Sequence, residues 1–185
     1  RYFMYSLKDM MLGAEFDLKY GRWLRSLVFE YIYTKYQSGP YNHDHTQNIG
    51  DHIAGLDDYY NHSIYTGWQH WGQVVGNPLY RSPIYNKDGT IEVRNNRFYA
   101  FHLGMEGSPT ERFDYRVLTT YQKGWGTYGS PFTKAYRNFS FLVEAKYKFN
   151  HDWTVRGGYA MDFGSEKMYG HNAGFQLTVT KSGLL

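Results

Sequence analysis

The chain has 185 residues, enough for one domain, and no cysteine, which excludes disulfides and cysteine-ligated metal. It is 20% aromatic with 20 Tyr, 12 Phe and 5 Trp, and its net charge of +3 comes without a Lys/Arg block, which argues against nucleic acid as a partner. A mean hydropathy of -0.65 excludes a bundle of membrane helices but not membrane strands, which need be apolar on one face only.

The opening residues Arg1-Tyr2-Phe3-Met4-Tyr5-Ser6 lack the shape of a signal peptide, so the natural N-terminus is expected upstream. Residues 2–8 offer a first candidate strand. From there apolar and polar residues alternate in segment after segment, which puts them on opposite faces of strands. In 12–20, Leu12, Ala14, Phe16, Leu18 and Tyr20 oppose Glu15, Asp17 and Lys19. Segments 23–36 and 97–106 fit less well, because Leu24, Val28 and Ile32 put apolar groups on the polar face. In 112–122, Phe113, Tyr115, Val117 and Tyr121 oppose Arg112, Asp114, Arg116, Thr120 and Gln122. From Asn138 to Phe149, Phe139, Phe141, Val143, Ala145, Tyr147 and Phe149 oppose Ser140, Glu144, Lys146 and Lys148, with only Leu142 out of character. In 153–163, Trp153, Val155, Tyr159, Met161 and Phe163 oppose Thr154, Arg156 and Asp162. Finally Phe175, Leu177 and Val179 oppose Gln176, Thr178 and Thr180.

Runs of about 10 residues are the length at which a tilted strand crosses a bilayer. The connections also alternate. Gly21-Arg22, Gly107-Ser108-Pro109 and Asn150-His151-Asp152 are expected as tight turns, separated by loops of about 60, about 14 and about 8 residues. Tyr20, Trp23, Phe149 and Trp153 flank the short turns, where interfacial rings belong. These features predict an all-β protein, an antiparallel transmembrane β-barrel. The chain would supply its C-terminal seven to eight strands, with a long extracellular loop at about 37–96.

That loop is too long for a plain connection and is expected to be functional and compact. Tyr59, Tyr60, Tyr65, Trp68 and Trp71 supply rings, and Asp57, Asp58, Asn61, Gln69 and Asn77 supply hydroxyl partners, a mixture suited to sugars. The alternative is that the same residues fold the loop onto itself. Asp88-Gly89 is expected to turn an outer hairpin. The run DDYYNHSIYTGWQHWGQVVGNPL at 57–79, with FEYIYTKYQSGP at 29–40 and the closing KSGLL, resembles the Wzi-like capsule assembly family of outer-membrane proteins. The resemblance implies the C-terminal part of a large barrel that binds capsular polysaccharide at the cell surface. Outer-membrane lipid is the expected surroundings, no cofactor is expected, and protein partners in a larger outer-membrane complex stay open. The carbohydrate site is expected at Asp57, Asp58, Tyr59, Tyr60, Asn61, Trp68, Trp71 and Asn77.

Other constellations carry less. His43-x-His45 with Asp44 has metal-binding residue types but no defined geometry. Asp57 and Asp58, with Glu30 or Glu144, offer a carboxylate pair of glycosidase type, yet sequence sets no separation between them. No G-x-S-x-G nucleophile elbow is present, so a non-enzymatic protein is expected. Arg97, Arg112, Arg116, Lys146, Lys148 and Arg156 outnumber the acids on the polar faces. Either they form a basic lumen for anions, or they pair with Asp114, Glu144 and Asp162 in a charge ladder. The rival functions are a diffusion channel and a structural barrel subunit of a larger surface complex.

Overall fold

A computed structural model describes residues 8–19, 21–37, 60–61, 67–149 and 152–183. Among them there is no α-helix. The strands are β1 (Met10–Asp17), β2 (Ser26–Tyr33), β3 (Gln69–His70), β4 (Gln73–Val74), β5 (Phe98–Thr110), β6 (Phe113–Gly126), β7 (Pro131–Lys148), β8 (Trp153–Gly164) and β9 (His171–Lys181). Seven of them form one antiparallel sheet in the order β1-β2-β5-β6-β7-β8-β9, and β3 and β4 make a separate hairpin. All seven alternating segments are therefore strands of one meander. The eighth candidate, at 2–8, falls almost wholly outside the described residues.

Three connections differ from expectation. Gly21-Arg22 does not join two strands as a tight turn, because β1 ends at Asp17 and β2 begins at Ser26. The turn after β5 is Glu111-Arg112, not Gly107-Ser108-Pro109. The Thr110 hydroxyl oxygen accepts from the N–H groups of Arg112 and Phe113 at 3.3 and 3.1 Å, which closes the turn. Gly107 instead marks a close approach of backbones, since a Cβ there would lie 2.1 Å from the carbonyl oxygen of Trp23. The loop expected between the next two strands shrinks to 127–130, because β6 runs on to Gly126 and β7 begins at Pro131. Thr127 holds this turn, its hydroxyl accepting from Ser130 N–H at 2.9 Å. Asp88-Gly89 is a turn, with Gly89 at φ +73°, but no strands flank it.

The chain divides into two compact units, one of residues 12–31, 100–122 and 137–185, the other of residues 1–11, 32–99 and 123–136. In the first, the sheet has two unlike faces. Phe139 pairs with Phe163, Phe141 with Met161, Val143 with Tyr159 and Tyr147 with Val155 across β7 and β8. Tyr159, Val155 and Gly157 in turn meet Phe175, Val179 and Leu177 of β9. Phe16, Phe29, Phe101, Val143, Tyr159 and Phe175 are all exposed. The opposite face is polar and bonded across strands. Arg116 pairs with Glu144, and Lys146 reaches Asp114 at 3.2 Å. Ser108 donates to Asp114 at 2.8 Å, His102 meets Thr120 at 2.7 Å, and Ser140 bonds Asp162.

An apolar row interrupts this polar face and accounts for Val28, one of the misfits in the alternation of 23–36. A Cβ at Gly104 would stand 3.1 Å from Leu118 Cδ2 and 3.6 Å from Val28 Cβ, so the missing side chain makes a notch that these two fill. Leu142 lies opposite Ala160, and Ala160 opposite Gly174, which continues the row to β9.

The second unit is built on a small core, with Val93 and Phe98 wholly buried and Ile32 nearly so. Buried amides tie its irregular backbone together. Gln37 donates to the carbonyls of Thr34 and Asn96, both at 2.8 Å. Asn95 accepts from Gly126 N–H at 3.1 Å, and Asn86 donates to the carbonyls of Thr90 and Glu92 at 3.0 and 2.8 Å.

Candidate functional site

The sugar-binding expectation centres on the β3–β4 hairpin, whose two-residue turn is Trp71-Gly72. Both residues have positive φ, +51° and +72°, as a type I′ turn requires. Glycine suits this conformation, but a bulky side chain is disfavoured in it. Trp71 is nevertheless placed there and its side chain is 86% exposed, while Trp68 at the hairpin's foot is 62% exposed. Hydrogen bonds fix the hairpin from behind. Ile84 N–H donates to Gly72 O at 2.9 Å, Val74 N–H to Ser82 Oγ at 3.1 Å, and Val75 N–H to Trp68 O at 3.0 Å. The short 3-10 turn Pro83–Tyr85 beneath the tip adds the exposed side chains of Ile84 and Tyr85.

The other expected site residues divide. Asp57, Asp58 and Tyr59 lie outside the described residues, as do His43, Asp44, His45 and Tyr65. Tyr60 packs its ring on Tyr80 at 4.2 Å, and Tyr80 packs edge-on against Phe98 at 5.0 Å. Burial pushes the phenols of Tyr60 and Tyr80 above their ordinary pKa, although both residues are only partly buried. Asn61 donates to Val93 O and accepts from Val93 N–H, each at 2.8 Å, which makes it a strand-like partner for a buried backbone group. Asn77 accepts from Leu79 N–H at 2.9 Å in an Asx turn. Of the described candidates, Trp68 and Trp71 are the two free to meet a ligand, and Tyr60, Asn61 and Asn77 hold the loop in shape.

The charged residues also separate. Arg116, Lys146, Asp114 and Glu144 form the paired ladder on the polar face, where with Arg25, Ser108 and Arg156 they line an open pocket of about 290 Å³. Asp162 bonds Ser140 rather than a cation. Arg112 sits exposed in the β5–β6 turn, and Arg97 belongs to the other unit. Its guanidinium lies 3.8 Å above the ring of Tyr128. Tyr85, Trp125 and Tyr128 carry no motif in the sequence, since Trp125 lies within β6, Tyr85 within the 3-10 turn and Tyr128 beyond the end of β6, all apart from the aromatic run at 57–79. The interleaving of Lys123, Trp125 and Tyr128 was the available signal. Compared with protein-family models, curated proteins and solved structures, the chain gives no match.

Proposed function

We propose that this chain is part of an outer-membrane β-barrel that binds surface polysaccharide, capsular polymer above all, without catalysing a reaction. Its resemblance to the Wzi-like capsule assembly family supports the same reading. The carrying observation is Trp71, an exposed indole held at a hairpin tip in a conformation that disfavours it. Strain of this kind persists where the surroundings enforce it and is concentrated at ligand-binding positions. An indole face stacks on the C–H face of a pyranose, and the hairpin presents two indoles from one rigid support.

The sheet supports a membrane setting. In the first unit, one face carries exposed apolar side chains and the other a bonded polar network. β1 and β9 stand at the ends of the strand order, and both are exposed along their length. Unpaired strand edges are not tolerated in hydrocarbon, so in this reading further strands complete the wall. The test is capsule retention on cells carrying Trp68→Ala or Trp71→Ala, with the amount of assembled barrel measured alongside. Loss of capsule at normal barrel levels is expected. Normal capsule with normal assembly would remove both residues from the site, and loss of both would make the hairpin a folding element.

A further inference from the structure

A second surface of the same unit carries cations on aromatic rings. Lys35 Nζ lies 4.3 Å and Lys123 Nζ 5.4 Å from the centre of the Trp125 ring, and Tyr99 leans on that indole at 5.7 Å. Arg97 covers Tyr128 at 3.8 Å, donates from Nε to Lys35 O at 3.1 Å and so joins the two stacks. Tyr128 closes the patch by donating its hydroxyl to Tyr36 O at 3.3 Å.

Among the described residues, no carboxylate oxygen comes within 4.0 Å of the charged nitrogens of Lys35, Lys123 or Arg97. The contrast with Arg116 and Lys146, each paired with an acid, is direct. A ring face engages one side of an ammonium or guanidinium, so the ammonium N–H groups of Lys35 and Lys123 stay open, while Arg97, which also donates from Nη1 to Thr127 O at 3.5 Å, keeps its Nη2 side for an anion. It also fixes long side chains in advance, so less rotamer freedom is lost when an anion arrives. Fixed and unneutralised, the three cations present a ready-made surface for negative charge on a partner that also offers apolar faces to rings.

We infer that the polymer held by this protein is acidic, and that Lys35, Arg97 and Lys123 bind the carboxylates of its uronic-acid type residues while Trp125 and Tyr128 flank the sugar rings. This rests on the polysaccharide-binding reading and adds the charge of the polymer and a second contact surface. A chain of repeating carboxylates gains from several such cations at once, since each further ion pair forms at high effective concentration.

The full protein in detergent, immobilised on a sensor, is offered polygalacturonate and, separately, neutral dextran. Wild type is expected to retain polygalacturonate over dextran and to lose it as salt rises from about 50 to about 300 mM, because exposed ion pairs are screened. Lys35→Gln/Lys123→Gln should weaken polygalacturonate binding about ten-fold, the size expected when two exposed ion pairs are removed together. Lys35→Arg/Lys123→Arg should restore it, and Lys167→Gln, at an exposed site elsewhere, should leave it unchanged. Equal retention of the two polymers, unchanged binding by the double Gln variant, or salt-independent binding by wild type would each overturn the inference while leaving polysaccharide binding intact. The salt series needs no variant and decides the matter even if the double variant does not fold. Retention of neither polymer would also overturn it. The reading beneath would then be judged by capsule retention in the Trp68→Ala and Trp71→Ala cells.

Discussion

If the proposed function holds, Trp71 separates binding from folding at the level of a single side chain. Its φ of +51° costs an L-residue roughly 1–2 kcal/mol, a cost glycine does not bear. Trp71→Gly should therefore leave the hairpin as stable as before, or more stable by up to about 1 kcal/mol. Polysaccharide retention should nevertheless fall as far as in Trp71→Ala. Thermal unfolding and capsule retention measured on the same variant check this, and a clear loss of stability would mean the indole is packed. The indoles were legible in the sequence as sugar-stacking candidates. The fate of the amides was not. Asn61 and Asn77 have the right chemistry for hydroxyl groups, but Val93 and Leu79 use it. Residue type states what a side chain can bond, and only the fold determines which bonds are already taken.

At the scale of the strand, alternation carried most of the information. It located all seven sheet strands, because one-sided burial imposes a period of two whatever the surroundings. It failed at ends where glycine and proline had other uses. Gly107 accommodates the Trp23 carbonyl, and Pro131 starts β7. The phase of β7 has a direct test. Phe141 lies on the apolar face with Tyr159 and Phe163 at 6.1 and 6.2 Å, whereas Ser140 faces Asp162 on the polar one. With the apolar face toward lipid, Phe141→Arg should cost about 2–4 kcal/mol, and Ser140→Arg much less because a carboxylate stands ready to pair. Barrel assembly, read from the heat-dependent gel mobility of the two variants, makes the comparison. Equal defects would count against the assigned phase.

For the molecule as a whole, the sequence announced an alternating sheet with one long insertion, and this is the architecture found. It did not announce the division of the charges. Composition alone left a basic lumen and a paired ladder open. The sheet pairs Arg116 and Lys146 with acids, while Arg97, Lys35 and Lys123 are held on rings in the other unit. The separation depends on which strands become neighbours, and neighbour relations over long stretches of chain are invisible to local periodicity. The alternation of short and long connections is also weaker than expected, since the asymmetry rests on the single insertion between β2 and β5.

The row of Val28, Leu118, Leu142 and Ala160 has a consequence for permeation. On one side of it stand Glu106, Arg116 and Glu144, on the other Thr120, Ser140 and Asp162, so hydration is supported before and after the row but not along it. If this face surrounds a water-filled interior, water tends to withdraw from a narrow apolar stretch, and an ion entering it must shed its shell with nothing to replace it. Charged groups at either mouth would draw ions in without letting them through. Planar-bilayer recordings of the full protein should be nearly silent, and Val28→Ser/Leu118→Ser/Leu142→Ser should open a measurable conductance. Large steady openings in the wild type would show that the row is no barrier and would favour a diffusion channel. In the proposed setting, a silent barrel would keep the membrane sealed while polymer is held on its outer side.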